Sequence, residues 1–230
     1  MTIRLIDLVG TDPEMMFSPF TWRTRMSLLH KGLDFELEPW HMAPEGHEES
    51  GYPSVPVMYD KGKWIGDSWE IAKYLDKEYP DKPALFPGKH GVAHAKIALA
   101  MCGSVFPAMI GCAVLNCYEN VIDDESKDYF RKSREEIFGA TLEQVTLPEA
   151  EAKENLAKVL APFDEVLEKE LFLGGSEPTY ADFGLFGILK WGDMVSSYKP
   201  LDSSSNTGKW FDRLSRMYGG YAAGVKTIRD

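Results

Sequence analysis

Three short stretches of this chain combine hydroxyl, carboxylate and proline in ways that can do chemistry. The first is Ser18-Pro19 in "FSPFTWRTRM" (Phe17 to Met26), which follows the strand-like run "IRLIDLV". Proline is favoured in the first turn of a helix, where its missing N–H is not needed, so Ser18 falls near an N-cap. The plain role of such a serine is to cap, worth about 1 kcal/mol. Its other role is chemical. A helix N-terminus carries partial positive charge and free N–H groups, which favour a nearby anion such as a thiolate.

The second stretch is "SVPV", Ser54 to Val57. Proline cannot donate to a strand ladder and belongs at a strand start or edge. A cis Val55-Pro56 bond would present the backbone N–H and C=O of Val55 to an extended peptide ligand. A trans bond, commoner overall, would make Pro56 an ordinary strand-start residue. The third is "GDSWEIAKYL", which puts Asp67-Ser68 at the start of another helix. Backbone N–H groups and a hydroxyl there can hold a carboxylate, and Asp67 can pair with an ammonium. Capping alone also accounts for these two residues.

The surrounding pattern says how the three could meet. "IRLIDL" reads as a strand. From Thr21 to Lys31 the residues Trp22, Met26, Leu28 and Leu29 mark a helix face, and Gly32 is placed to end it. "FELEPW" alternates as a half-exposed strand does. Together they predict a β-α-β unit with parallel strands. "VPVMYDKGKWIGDS" predicts a hairpin turning at Asp60-Lys61-Gly62-Lys63. In "WEIAKYLDKEY" the residues Trp69, Ala72, Leu75 and Tyr79 form one helical stripe. The polar stretch "HMAPEGHEESGY" between Trp40 and Pro53 lacks such periodicity, so a helix there would be short or absent. In a βαβ-ββα unit the element ends converge on one side of the sheet.

"PDKPALFPG", Pro80 to Gly88, has the composition of a linker with few crossing hydrogen bonds. Beyond it the pattern is helical only. Helices are predicted over 97–118, from Asp128 to Phe138, through "EAEAKENLAKVLAPFDEVLEKELF", from Tyr180 to about Val195, and from Lys209 to Tyr218. The expected division is an α/β unit over 1–80, a linker over 81–88 and an all-α unit over 89–230. Ile97 to Tyr118 carries no charge and is long enough to cross a bilayer. Gly103, Ser104, Pro107, Gly111 and Asn116 dilute it, which favours a buried core helix with Pro107 as a kink point.

Composition narrows the function classes. The 44% hydrophobic content supplies a core and excludes disorder. A formal charge of −11 argues against nucleic acid or an anionic membrane surface as partner. The three cysteines, Cys102, Cys112 and Cys117, share one apolar run without metal or disulfide spacing, so inert buried thiols and no metal site are expected. The N-terminal run is too short in apolar residues for a signal peptide. These features suit a reduced, cytoplasmic protein.

"SPFTWRTRMSLLHKG", "SVPVMYDKGKWIGDSWEIAKYLDKEYPDKPALFPG", "DYFRKSREE" and "FLGGSEPTYADF" resemble the glutathione transferase superfamily. More narrowly they are similar to its glutathione-dependent β-aryl etherase branch and to fungal etherase-like transferases. The likeness is dense over the first ninety residues and lies in islands beyond them. It implies a thioredoxin-like N-terminal domain, an all-helical C-terminal domain and a homodimer. It implies that Ser18 faces the glutathione sulfur with Phe20 beside it, and that Val55, before a cis Pro56, pairs with the cysteinyl backbone. Asp67 and Ser68 would hold the γ-glutamyl end. The stretch 41–54 lacks the usual Asn-Pro and Lys signals for the glycine end, leaving His41 and, more weakly, His47 as the nearest candidates. An apolar second pocket between the domains would be lined by Phe106, Met109, Ile110 and Tyr118, all of which also suit core packing. Thr179 and Asp182 match the superfamily's capping box, a folding element. With no cysteine beside Ser18, mixed-disulfide chemistry is disfavoured. The implied activity is glutathione transfer to a hydrophobic aromatic electrophile, with aryl ether cleavage as its narrower form. A carrier of aromatic ligands and a transferase-fold interaction module are the competing readings. Arg23 and Arg25 are assigned to the wet face of the helix or to structural pairing.

Overall fold

The computed structural model describes residues 2–230. Strand β1 (Ile3–Val9) is buried along nearly its whole length and runs second in a four-stranded sheet of order β2-β1-β3-β4. Helix α1 (Pro19–His30) carries the chain to β2 (Phe35–His41), which lies parallel to β1 with Ile3 opposite Phe35. The hairpin strands β3 (Val57–Asp60) and β4 (Lys63–Gly66) are antiparallel to their neighbours, and α2 (Ser68–Glu78) closes the unit. No helix lies between β2 and β3, as the polar stretch predicts. A turn held by the His47–Tyr52 bridge takes its place.

The helical half comprises α3 (Gly91–Asn120), α4 (Asp124–Phe138), the one-turn α5 (Leu142–Val145), α6 (Glu149–Leu167), α7 (Tyr180–Val195) and α8 (Asn206–Gly220). Helix α3 is long and apolar enough to span a membrane by composition, but here it packs against α6 and α7. It continues through Pro107. Helix α4 starts four residues earlier than its periodicity suggests, because Asp123 caps it by accepting from Ser126 N at 3.0 Å. The last helix bends at Met217–Gly219, where Tyr218 takes a positive φ of 52°.

The segment between α2 and α3 departs from expectation. Its prolines suggest a sparsely bonded linker, yet it is pinned from three sides. Asp76 accepts from Leu85 N and Phe86 N, buried Lys31 donates to Pro83 O at 3.1 Å, and Leu85 O accepts from Tyr180 N at 3.0 Å. Leu85 is fully buried. The anchors all lie outside the segment, at the end of α1, on α2 and at the start of α7, where its own composition does not reveal them.

Helix α1 is buried on nearly every side because the sheet unit lies on one flank and α7 on the other. The contact is close enough to require Gly187, where an added Cβ would lie 2.2 Å from Pro19 O. Gly187→Ala must therefore push α1 from α7 at a backbone atom that cannot rotate away. The expected cost is about 1–3 kcal/mol. Thermal melting should register it as roughly 2–4 °C per kcal/mol.

Candidate functional site

A cavity of about 370 Å³ opens between the sheet unit and the helices. Ser18, Phe20, Trp40, Met42 and Val55 face it from one half, and Phe106, Ile110, Tyr129, Arg134 and Trp191 from the other. Ser18 reaches it because it is the N-cap of α1 with Pro19 at the next position, the arrangement its sequence predicts. Its hydroxyl oxygen accepts from Thr21 N at 3.3 Å. That bond uses a lone pair and leaves the hydroxyl proton free to donate. No acidic residue lies in the first turn of α1, and the Asp7 carboxylate that reaches its N-terminus from β1 is itself paired with Arg25.

The serine is fixed from behind. Ser18 N donates to Asp7 Oδ1 at 3.2 Å, and Asp7 also accepts from Leu8 N at 2.7 Å. Asp7 is fully buried and pairs with buried Arg25 at 2.5 Å. Burial pushes the Asp7 carboxyl above its ordinary pKa, and the Arg25 guanidinium draws it back. Arg25 thus belongs to structural pairing, with its guanidinium over the Trp22 ring. Arg23 is half-buried, and its guanidinium lies 4.8 Å from the Phe20 ring centre.

Val55-Pro56 is cis, and Val55 precedes the first ladder residue of β3 at the cavity wall. Asp67 caps α2 through Trp69 N and Glu70 N, and adopts a positive φ of 70° while its own N–H donates to Pro56 O at 3.2 Å. The cis proline and the α2 cap are therefore hydrogen-bonded to each other. Ser68, the first residue of α2, is buried.

Of the pocket residues suggested by sequence, the structure brings Phe106 and Ile110 to the cavity and leaves Met109 and Tyr118 outside it. The wall of α3 is the stripe Phe106, Ile110, Val114, spaced by four. Met109 lies about 100° round the helix from Ile110. It packs on α7, where a Cβ at Gly192 would meet its sulfur at 2.0 Å. Tyr118 stacks on Phe130 and under the Arg131 guanidinium. His41 sits at the end of β2, paired with Asp123 at 3.0 Å and largely exposed, away from the lining. His47 bonds Ser50 and packs on Trp40 and Trp64. The cysteines are free and buried, and burial pushes Cys102 up to about 11 and Cys117 up to about 12.

Sequence reasoning missed the α4 wall, Tyr129, Phe130, Arg134, Ile137 and Phe138. The helical spacing of these residues is visible in "DYFRKSREEIF", but the charges between them hide it. Trp191 is likewise hidden within an apolar helix. It now faces Phe106 at 5.9 Å.

Comparison with known proteins gives this geometry a context. Residues 17–78 match the N-terminal domain of glutathione S-transferase, and residues 94–216, more than half of the chain, match its C-terminal domain. The glutathione S-transferase-like protein ustS of Aspergillus flavus is 36% identical over 138 residues, 54% of this chain and 49% of that protein. A zeta-class glutathione S-transferase of Euphorbia esula is 30% identical, covering 68% of this chain and 69% of its own. The chain spans about half the length of several curated relatives it matches, among them ustS and the maleylacetoacetate isomerase of Dictyostelium discoideum. Among solved structures, the transferase CsGST63524 of Ceriporiopsis subvermispora, in complex with glutathione, superposes with a TM-score of 0.83 at 26% identity. That match covers 96% of this chain and 98% of the other. GSTFuA2 of Phanerochaete chrysosporium gives 0.72 at 28% identity, covering 97% and 94%. The chain belongs to the glutathione S-transferase family.

Proposed function

We propose that this protein is a glutathione transferase in which Ser18 stabilises the glutathione thiolate for attack on a hydrophobic aromatic electrophile. The observation that carries the reading is a capping hydroxyl with an unspent proton, at a helix N-terminus with no acidic residue in its first turn, facing an apolar cavity. Val55 beside the cis proline suits pairing with a peptide backbone, and the N-terminus of α2 at Asp67-Ser68 suits the γ-glutamyl end. Phe20, Phe106 and Trp191 give the second substrate aromatic walls.

A free thiol has a pKa near 8.5 and is mostly protonated at neutral pH, at about that value for any unperturbed cysteine. A hydroxyl donor plus a helix terminus favours the charged form and lowers the pKa, by about 1.4 kcal/mol for each unit. In the ether-cleaving form of the reaction, the sulfur attacks the carbon that bears an aryloxy group next to a ketone. A C–S bond forms, the C–O bond breaks, and the phenolate leaves with the bonding pair.

Ultraviolet titration of the thiolate in bound glutathione tests this on wild type and Ser18→Ala. The thiol pKa should be depressed in the wild type and relaxed in the variant. Turnover should fall roughly 10- to 100-fold, the range of one hydrogen bond to a charged group. Glutathione that binds without deprotonating would make the cavity a carrier's pocket and Ser18 a cap.

A further inference from the structure

Two arginines one turn apart on α4 are treated differently. Arg131 is held by Glu135 and Glu143, each at 2.8 Å, with its guanidinium over Tyr118. Arg134 has no carboxylate partner among the described residues, although the chain carries 36 acidic side chains. Its polar contacts are Ser133 Oγ at 3.1 Å and the weak acceptor Met42 Sδ at 4.0 Å. The guanidinium lies 5.1 Å from the Phe130 ring centre and lines the interdomain cavity among Met42, Tyr129 and Phe138. Burial pulls its pKa below the ordinary arginine value. A half-buried cation without a counter-ion is costly to hold in an apolar wall. A ligand carboxylate would satisfy it, and the planar fork of arginine matches that group with two parallel bonds.

We infer that Arg134 selects a second substrate bearing an anionic group, so that the preferred electrophile is an aromatic carboxylate. This rests on the transferase reading above and names its substrate class. Two molecules in the cavity could bring a carboxylate, the electrophile or glutathione itself through its glycine end. The apolar and aromatic residues around Arg134 favour the electrophile. Its ring would lie against Phe106 and Trp191 while its carboxylate meets the guanidinium.

The test uses a matched pair, para-chloro-meta-nitrobenzoate and its methyl ester, with wild type, Arg134→Gln and Arg134→Lys. In each reaction the glutathione sulfur displaces chloride. In Arg134→Gln the preference for the acid over the ester should fall roughly 10- to 100-fold, mainly through KM for the acid. Arg134→Lys should restore part of it, since it keeps the charge and loses the fork. An unchanged preference, with both substrates falling together, would overturn the inference. So would a rise in KM for glutathione alone, which would give Arg134 to the glycine end. If wild type turns over neither compound, the thiolate titration decides the transferase reading separately, and quenching of tryptophan fluorescence by meta-nitrobenzoate and its methyl ester decides this one. Selective loss of acid binding in Arg134→Gln upholds the inference. Equal or absent loss overturns it.

Discussion

Arg25→Met should lower the folding free energy by about 3–5 kcal/mol, because it leaves the Asp7 carboxylate buried without its counter-charge. Asp7 is fully buried, and its remaining donors are two backbone N–H groups, Leu8 and Ser18. Methionine keeps the aliphatic stem and loses the guanidinium that lies over the Trp22 ring, so the loss reports mainly the missing charge. A urea titration would show a lower midpoint with an unchanged slope. Adding Asp7→Asn to Arg25→Met removes both charges, and the pair should cost well under the sum of its single changes. The chemical consequence is separable from the stability. Ser18 N is tied to Asp7, so on the proposed reading of Ser18 the Arg25→Met change should also raise the thiol pKa of bound glutathione, at a residue that does not line the cavity.

Asp182→Ala should be the most damaging single change in the helical half. The Asp182 carboxylate is fully buried and accepts from Leu173 N at 2.7 Å, Thr179 N at 2.9 Å, Gly174 N at 3.1 Å and Trp210 Nε1 at 2.9 Å. It joins the start of α7, the loop before it and α8. Burial pushes its pKa up, and the convergent donors pull it down. Each stranded buried donor costs about 1–3 kcal/mol, so the total expected loss is about 4 kcal/mol or more. Domains of ordinary stability have about 5–15 kcal/mol in all. The variant should therefore be recovered mostly unfolded or aggregated. Asp182→Asn keeps one acceptor and should retain more structure in circular dichroism and urea titration. Equal stability of the alanine variant and wild type would show that water replaces the carboxylate.

Much of the N-terminal half is legible in the sequence because its signals are local. Pro19 after Ser18, Gly32 after the α1 face, and the Lys61-Gly62 turn each act within a few residues. The cavity wall is less legible because its residues are chosen by rotation about helices whose partners are distant. Ile110 and Met109 are adjacent and equally apolar, yet they face different neighbours, and only the placement of α7 decides which. The α4 wall escapes for another reason. Its apolar stripe is interrupted by charges that either face solvent or, as at Arg134, enter the cavity. The pinned segment after α2 shows the same limit, since Asp76 and Lys31 supply the contacts that its composition does not announce.

The close seating of α1 on α7 bears on how the chain is made. Trp22 is fully buried, and its indole N–H reaches Met194 Sδ at 3.2 Å while its ring meets Phe186 at 6.2 Å. A ribosome adding about 5–20 residues each second delivers α7 roughly ten to thirty seconds after α1. Through that interval the nascent sheet unit carries an uncovered tryptophan face. It is a natural landing place for a chaperone, and synthesis halted before residue 180 would release a chain with that face still bare.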